Sequence, residues 1–392
     1  MRHPALSMGY GPTFYLAFLS CFLFFSSMHL LITPLPLYIE EIGGSPADVG
    51  LAGTTFAIVA LIIRPYMGRL VDTRGRKIAL LIGTAIFTIG PLSYIATDSL
   101  PVFQAARMFH GIGIAAFTSA YYTLIADVTP PSRWGAAMGL AGIAPSLSMI
   151  IASPLGTSLL AHTSFTLVFA LAGAMGLASL VAVLPIREPP NQTVTPRPDD
   201  SGTTGPLEVI RLRGVVAPSL VTLTLGLGYG TTVTFLPLFA RDRGLGNVGF
   251  FFTVMSILTV VSRSLGGGLS DRFGRLPVIL PMLGILALSL LGLNWTYAFG
   301  ALMLMAVLQG IGSGGARVGL ETMVVDGAPA EVRGTALSLL YFCFDLGIGV
   351  SGLAIGAVAA LWGYGEGYLM VGVVSILTLL LFVGVMRRPG TA

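Results

Sequence analysis

The same charged turn occurs twice in this chain, at matching places in two apolar halves. The first copy reads Gly68-Arg69-Leu70-Val71-Asp72-Thr73-Arg74-Gly75-Arg76-Lys77, and the second reads Gly267-Gly268-Leu269-Ser270-Asp271-Arg272-Phe273-Gly274-Arg275. Setting Asp72 on Asp271 fixes an offset that also lays Gly50 on Gly249, Thr54 on Thr253 and Arg64 on Arg263. The same offset lays Gly111-Ile112-Gly113 on Gly310-Ile311-Gly312, Asp127 on Asp326, Pro130 on Pro329 and Gly135 on Gly334. A register held over that length is an internal duplication. It restricts the chain to folds built from two equivalent units.

The solvent of those units follows from composition. The chain is 54% hydrophobic and 10% charged, with mean hydropathy +0.87, against about 25% charged residues in an average soluble domain. That much apolar surface needs lipid around it, and in lipid only helices or closed barrels satisfy the backbone. Runs of about 20 apolar residues predict twelve membrane-spanning helices. They lie at 13–37, 48–70, 77–97, 100–126, 134–160 and 164–186, then at 214–239, 248–270, 276–295, 298–325, 333–361 and 366–386. The first, with Arg2 before it and an apolar stretch from Phe14 to Ile32, resembles a signal peptide. It lacks a small-residue cleavage site and is read as a retained span.

Residues 187–213, rich in Pro, Thr, Asp and Arg, cannot bury a core and read as a linker between halves 1–186 and 214–392. Of the 21 Lys and Arg residues, Arg241 and Arg243 fall on one side of the membrane, and Arg64, Arg107, Arg263 and Arg317 within spans. All the others share a side with both termini, the linker and the repeated turns. Both termini are therefore expected in the cytoplasm, and the net charge of +4 reflects topology rather than nucleic-acid binding. Cys21 and Cys343 stand alone in apolar segments and read as small packing residues. No nucleophile motif, metal cluster or nucleotide loop is present, so neither an enzyme nor a cofactor or metal is expected.

With these residues in view, the chain resembles the major facilitator superfamily over essentially its whole length. The turn at Gly68–Lys77 is similar to that superfamily's signature between spans 2 and 3, echoed at Gly267–Arg275 between spans 8 and 9. The resemblance implies an all-α membrane protein of two pseudo-symmetric six-helix bundles working by alternating access. Gly68, Gly75, Gly267 and Gly274 suit close helix approach and tight reversal. Asp72 and Asp271 suit the positive end of a neighbouring helix. Arg76 is expected to pair with Asp127, and Arg275 with Asp326. In similar transporters such networks hold the cytoplasmic gate closed in the outward-facing state; topological anchoring alone is the plainer alternative.

Within the spans the chemistry is sparse. Arg107-Met108-Phe109-His110-Gly111-Ile112-Gly113 resembles the superfamily's Arg-x-x-Gln-Gly-x-Gly motif with His110 in place of Gln. An arginine inside a span costs at least about 2.5 kcal/mol and must face protein or water. Arg107 therefore reads as an element of proton coupling, a contact for an anionic group, or a structural arginine bonded to carbonyls, and His110 as a further proton-coupling candidate or a packing residue. Asp345 lies about 18 Å into the membrane from Arg333, and Arg64 about 12 Å in from Asp72. They are expected to pair and to break or protonate during the cycle, with simple structural pairing as the alternative. Arg317 and Glu321, four apart, are expected to satisfy each other. By family analogy the cavity lies among spans 1, 4, 7 and 10, with Ser26, His29, Tyr122, Tyr229, Thr232, Arg317 and Glu321 as candidates. Its apolar, aromatic character suits a lipophilic or amphipathic small molecule. The expected protein is a monomer in a bacterial inner membrane, with the bilayer, that small molecule and protons as its partners. Export by proton antiport is the leading expectation, weakened by the lack of Gly-Pro in span 5, and proton-coupled uptake is its rival.

Overall fold

The computed structural model describes residues 10–188, 212–329 and 332–387. Among them twelve long helices form: α1 (Pro12–Glu41), α2 (Pro46–Arg74), α3 (Arg76–Ile95), α4 (Leu100–Asp127), α5 (Trp134–His162), α6 (Phe165–Val183), α7 (Arg213–Asp242), α8 (Gly249–Phe273), α9 (Arg275–Leu293), α10 (Phe299–Gly327), α11 (Arg333–Trp362) and α12 (Tyr364–Arg387). The described residues contain no strand. Eleven of the helices are long and apolar enough to cross a membrane. The exception is α4, whose N-terminal half carries Gln104, Arg107 and His110. Most of the predicted linker, residues 189–211, lies outside the described residues.

Local chemistry explains the breaks. Helix α1 is interrupted at residues 31–33 and restarts at Pro34, because proline has no N–H to continue the ladder but is well suited to a first helical turn. Helix α2 begins in a capping box, with Ser45 and Asp48 bonding each other's backbone N–H groups and Pro46 in the first turn. The two repeated turns each reverse the chain through one left-handed glycine, Gly75 at φ 95° and Gly274 at φ 89°. Burial sorts the layers: 78% of the apolar window of α7 is buried, against 17% for α12. Thus α7 is an inner helix, and α12 shows its side chains to lipid.

The duplication reappears as bonds. Trp134 Nε1 donates to the carbonyl of Ala126 at 3.0 Å, and Arg333 Nε, at the same register in the second half, donates to Val325 at 3.1 Å. Arg76 meets Asp127 at 2.6 Å and Arg275 meets Asp326 at 2.9 Å.

The halves meet along two seams, α2 against α11 and α5 against α8. Thr54 Oγ1 donates to the Gly349 carbonyl at 2.6 Å, and its counterpart Thr253 donates to Ile150 at 2.8 Å. Gly50 lies directly on the backbone of Gly352, and Gly249 lies on that of Ser153 and Pro154. Each pair of contacts falls in the same register, so the duplicated Gly and Thr positions are the ones that close the two seams. Small residues let helix backbones approach where lipid supplies no hydrophobic drive.

Candidate functional site

Along α2 and α11 the polar contacts between halves run from the end remote from the repeated turns down to Arg64 and Asp345. Arg64 Nη1 donates to Asp345 Oδ2 across the seam, with side chains 39% and 26% exposed. No hydrogen bond or ion pair between halves lies nearer the turns among the described residues. At the remote end Arg241 pairs with Glu40, which also accepts the Tyr364 hydroxyl at 2.7 Å. Asn247 donates to Ser158 Oγ there at 2.8 Å. Glu40 and Arg241 close this end from the tips of α1 and α7.

Sequence reasoning passed over that latch. The signal was present in the two lone arginines of that side: Arg241 meets Glu40, while Arg243 bonds the carbonyls of Asn294 and Thr296.

The second half breaks the symmetry at the arginine of this seam. Arg263, counterpart of Arg64, turns within its own half to Glu321 at 2.9 Å, and Arg317 reaches the same carboxylate at 3.2 Å. The position matching Glu321 is Tyr122, and the position matching Asp345 is Ser146. Arg64 thus has no acid in its own half and reaches across, whereas Arg263 has no acid across and stays home. The Arg317 guanidinium also stacks on Phe344, 4.3 Å from the ring centroid. The Arg263 side chain is 48% exposed despite its depth in α8. A charge so placed must meet water rather than hydrocarbon. Arg64, Arg263 and the exposed Tyr122 therefore mark a vestibule that opens toward the repeated turns.

Beyond this vestibule, between α1, α2, α4 and α7, lies a small cavity of about 80 Å³, well below the ~300–1,000 Å³ of a fully formed small-molecule site, as befits a place where the halves are closed on each other. Its apolar wall includes Met28, Leu31, Val49, Phe56 and Val233, and its polar members are Arg107, His110 and Thr234. Val49, Gly53 and Phe56 stand on one face of α2 at helical spacing, which puts α2 in the wall where the sequence pointed to α10. None of Ser26, His29, Tyr122, Tyr229, Thr232, Arg317 and Glu321 lines this cavity. His29 is buried and held by Ser148 Oγ on α5 at 2.9 Å. Ser26 donates to Phe22 of its own helix, and Thr232 takes a bond from Gln309 at 2.8 Å. Tyr229 packs on Phe344. Ser26, His29, Thr232 and Tyr229 are thus taken up by other residues instead of facing this cavity.

The repeated turns bind within each half. Arg275 holds both Asp271 at 2.6 Å and Asp326, while Asp72 is exposed and has no ion pair among the described residues. A Cβ added at Gly68 would meet nothing within 4 Å, and one at Gly267 would meet only Val318 at 3.9 Å. The close approach expected of these two glycines is absent, because the halves are apart at this end. Glu188 accepts from the Lys77 backbone N–H at the start of α3, a cap that the sequence pattern did not reveal.

The sequence profile of the Major Facilitator Superfamily matches residues 17–264 and 246–392. The quinolone resistance protein NorA of Staphylococcus aureus is 26% identical over 230 residues, so the match spans 58% of this chain and 58% of that relative. Among solved structures, a mutant of the nucleoside transporter NupG superposes with TM-score 0.82 at 13% identity, over 96% of this chain and 100% of that one. A bacterial homologue of the human lysosomal transporter Spinster, inward-facing and unoccupied, gives 0.78 at 17% identity, over 95% of each chain.

Proposed function

Since this chain belongs to the major facilitator superfamily and is a multi-pass membrane transporter rather than an enzyme, we propose that it exports a small lipophilic or amphipathic organic compound in exchange for protons. The observation that carries the reading is the Arg64–Asp345 pair. It is the one ion pair that joins the halves beside the vestibule among the described residues, and both side chains are part-exposed to it. A proton arriving at Asp345 neutralises the carboxylate and releases Arg64, which loosens the α2–α11 seam at its inner end. Deprotonation restores the charge, and the attraction between the two groups draws the seam together. The cycle thus couples one titration to one helix–helix contact, which is what alternating access needs.

In this reading residues 1–186 and 214–392 act as the two moving bundles, joined by the cytoplasmic linker 187–213. In the same reading both termini, the linker and the repeated turns lie on the cytoplasmic side of a bacterial inner membrane, which the Lys and Arg distribution supports. The vestibule then faces the cytoplasm, and the Glu40–Arg241–Tyr364 latch closes the outer side. Gly75, Arg76, Asp127, Gly274, Arg275 and Asp326 keep the cytoplasmic ends of α2–α4 and α8–α10 rigid as levers, and Asp72 is free to meet the opposite half when that end closes. NorA's name as a quinolone resistance protein supports drug-like cargo and outward direction.

Efflux of a panel of lipophilic dyes, cationic and anionic, from overexpressing cells tests the proposal. Energy-dependent loss of any member that collapses with a protonophore is the expected result. Accumulation, or no movement of any member by a well-expressed protein, would overturn export.

A further inference from the structure

The cavity between α1, α2, α4 and α7 has an unbalanced charge. Arg64 has Asp345, and Arg263 and Arg317 share Glu321. Arg107, the remaining arginine within a span, has no ion-pair partner among the described residues, and no Asp or Glu lines its cavity. Its Nη1 reaches only Tyr94 Oη and His110 Nδ1, each at 3.4 Å, and its guanidinium lies 4.4 Å over the Phe56 ring. A guanidinium stays protonated and can only donate. His110 Nδ1, facing that donor and the Tyr94 hydroxyl at 2.8 Å, therefore accepts, which leaves the proton on Nε2.

Two donors are then unused. Arg107 Nε and His110 Nε2 are buried with no hydrogen-bond partner, although both residues line the cavity. His110 as a whole is 1% exposed. Buried donors without acceptors are uncommon and costly. The pair here comprises one fixed positive charge and one neutral N–H, set beside an apolar wall with no acid facing it. A cationic guest would meet uncompensated like charge at this place. An anion would supply the acceptor both donors lack and neutralise the charge in a medium of low dielectric.

We propose that this cavity is the seat for the acidic group of an amphipathic organic acid, a carboxylate on an apolar body. Arg107 and His110 Nε2–H donate to the carboxylate oxygens; the cavity of about 80 Å³ has room for that group, and the apolar body lies along Met28, Leu31, Val49, Phe56 and Val233 as these walls part. This rests on reading the cavity as the place where the transported compound binds, and it narrows the cargo to anions or zwitterions. The protein does not use a cavity acid to choose its cargo; it uses the arginine left without one.

The test is binding to the purified full chain in nanodiscs with three probes sharing one body: pyrenebutyrate, the uncharged pyrenebutanol, and the matching trimethylammonium cation. The wild-type chain is expected to hold the carboxylate at least about tenfold more tightly than either other probe, the scale of one charge-assisted hydrogen bond. Arg107→Gln is expected to abolish the preference, bringing the affinity for the carboxylate down to that for the alcohol, and Arg107→Lys to keep part of it. Equal or tighter binding of the cation by the wild type, or failure to bind any probe, overturns the inference without recourse to a variant. So does a preference that survives in a folded Arg107→Gln protein. Protonophore-sensitive efflux of cationic dyes alone keeps the export reading and removes this one. Carboxylate binding without efflux of any dye does the reverse.

Discussion

Gly50→Ala is the sharpest probe of the outer seam. A Cβ at Gly50 would land on the Gly352 carbonyl and sit 3.2 Å from Gly356 Cα. Both obstacles are backbone, so neither can rotate away, and the helices must separate. Overpacking of this kind costs about 1–3 kcal/mol, and the cost falls only on the conformation in which the outer ends touch. The helix-propensity gain of alanine over glycine, about 1 kcal/mol, is the same in both conformations and cancels. A differential cost of about 2 kcal/mol lowers the outer-closed population relative to the outer-open one about thirtyfold. Spin labels at Ala47 and Leu361, exposed positions flanking this seam, would report it as a lengthened distance distribution. Gly249→Ala should act alike on the other seam, since its Cβ would lie 2.7 Å from the Ser153 carbonyl oxygen. Gly68→Ala, with open space around it, should leave the distances unchanged. Identical distributions in all three variants would refute the argument that these backbone contacts set the closed state.

Asp345→Asn should abolish protonophore-sensitive efflux with no loss of expression, because the pair is part-exposed and adds on the order of 1 kcal/mol to stability; undiminished efflux would count against coupling through this pair. Glu40→Gln removes the charge that Arg241 and Tyr364 share and should raise thiol labelling of cysteines placed at the outer end, by severalfold for about 1 kcal/mol. Ser148→Ala strips the buried His29 of its one side-chain partner. It should lower thermal stability by about 1–3 kcal/mol while transport persists, and a selective loss of transport would show that His29 does more than pack.

The duplicated register, the twelve apolar runs and the repeated turns made the helical membrane fold legible from the amino-acid order alone, because bilayer thickness and glycine's backbone freedom act locally. Gly50, Gly249, Thr54 and Thr253 were visible as duplicated positions. Their role as the closures of two equivalent seams was not, since it depends on which backbone lies opposite each one. The cavity was decided by tertiary structure. Ser26, His29 and Thr232 look like lining residues in a one-dimensional reading, yet Ser26 bonds back to the Phe22 carbonyl of its own helix, and helix packing turns His29 onto Ser148 and Thr232 onto Gln309. The same packing places Phe56 under Arg107 and leaves Arg107 without an acid. Sequence determines which charges a membrane chain must accommodate; only the arrangement of helices decides which of them find a partner, because in a low-dielectric interior that choice turns on a few ångströms of separation.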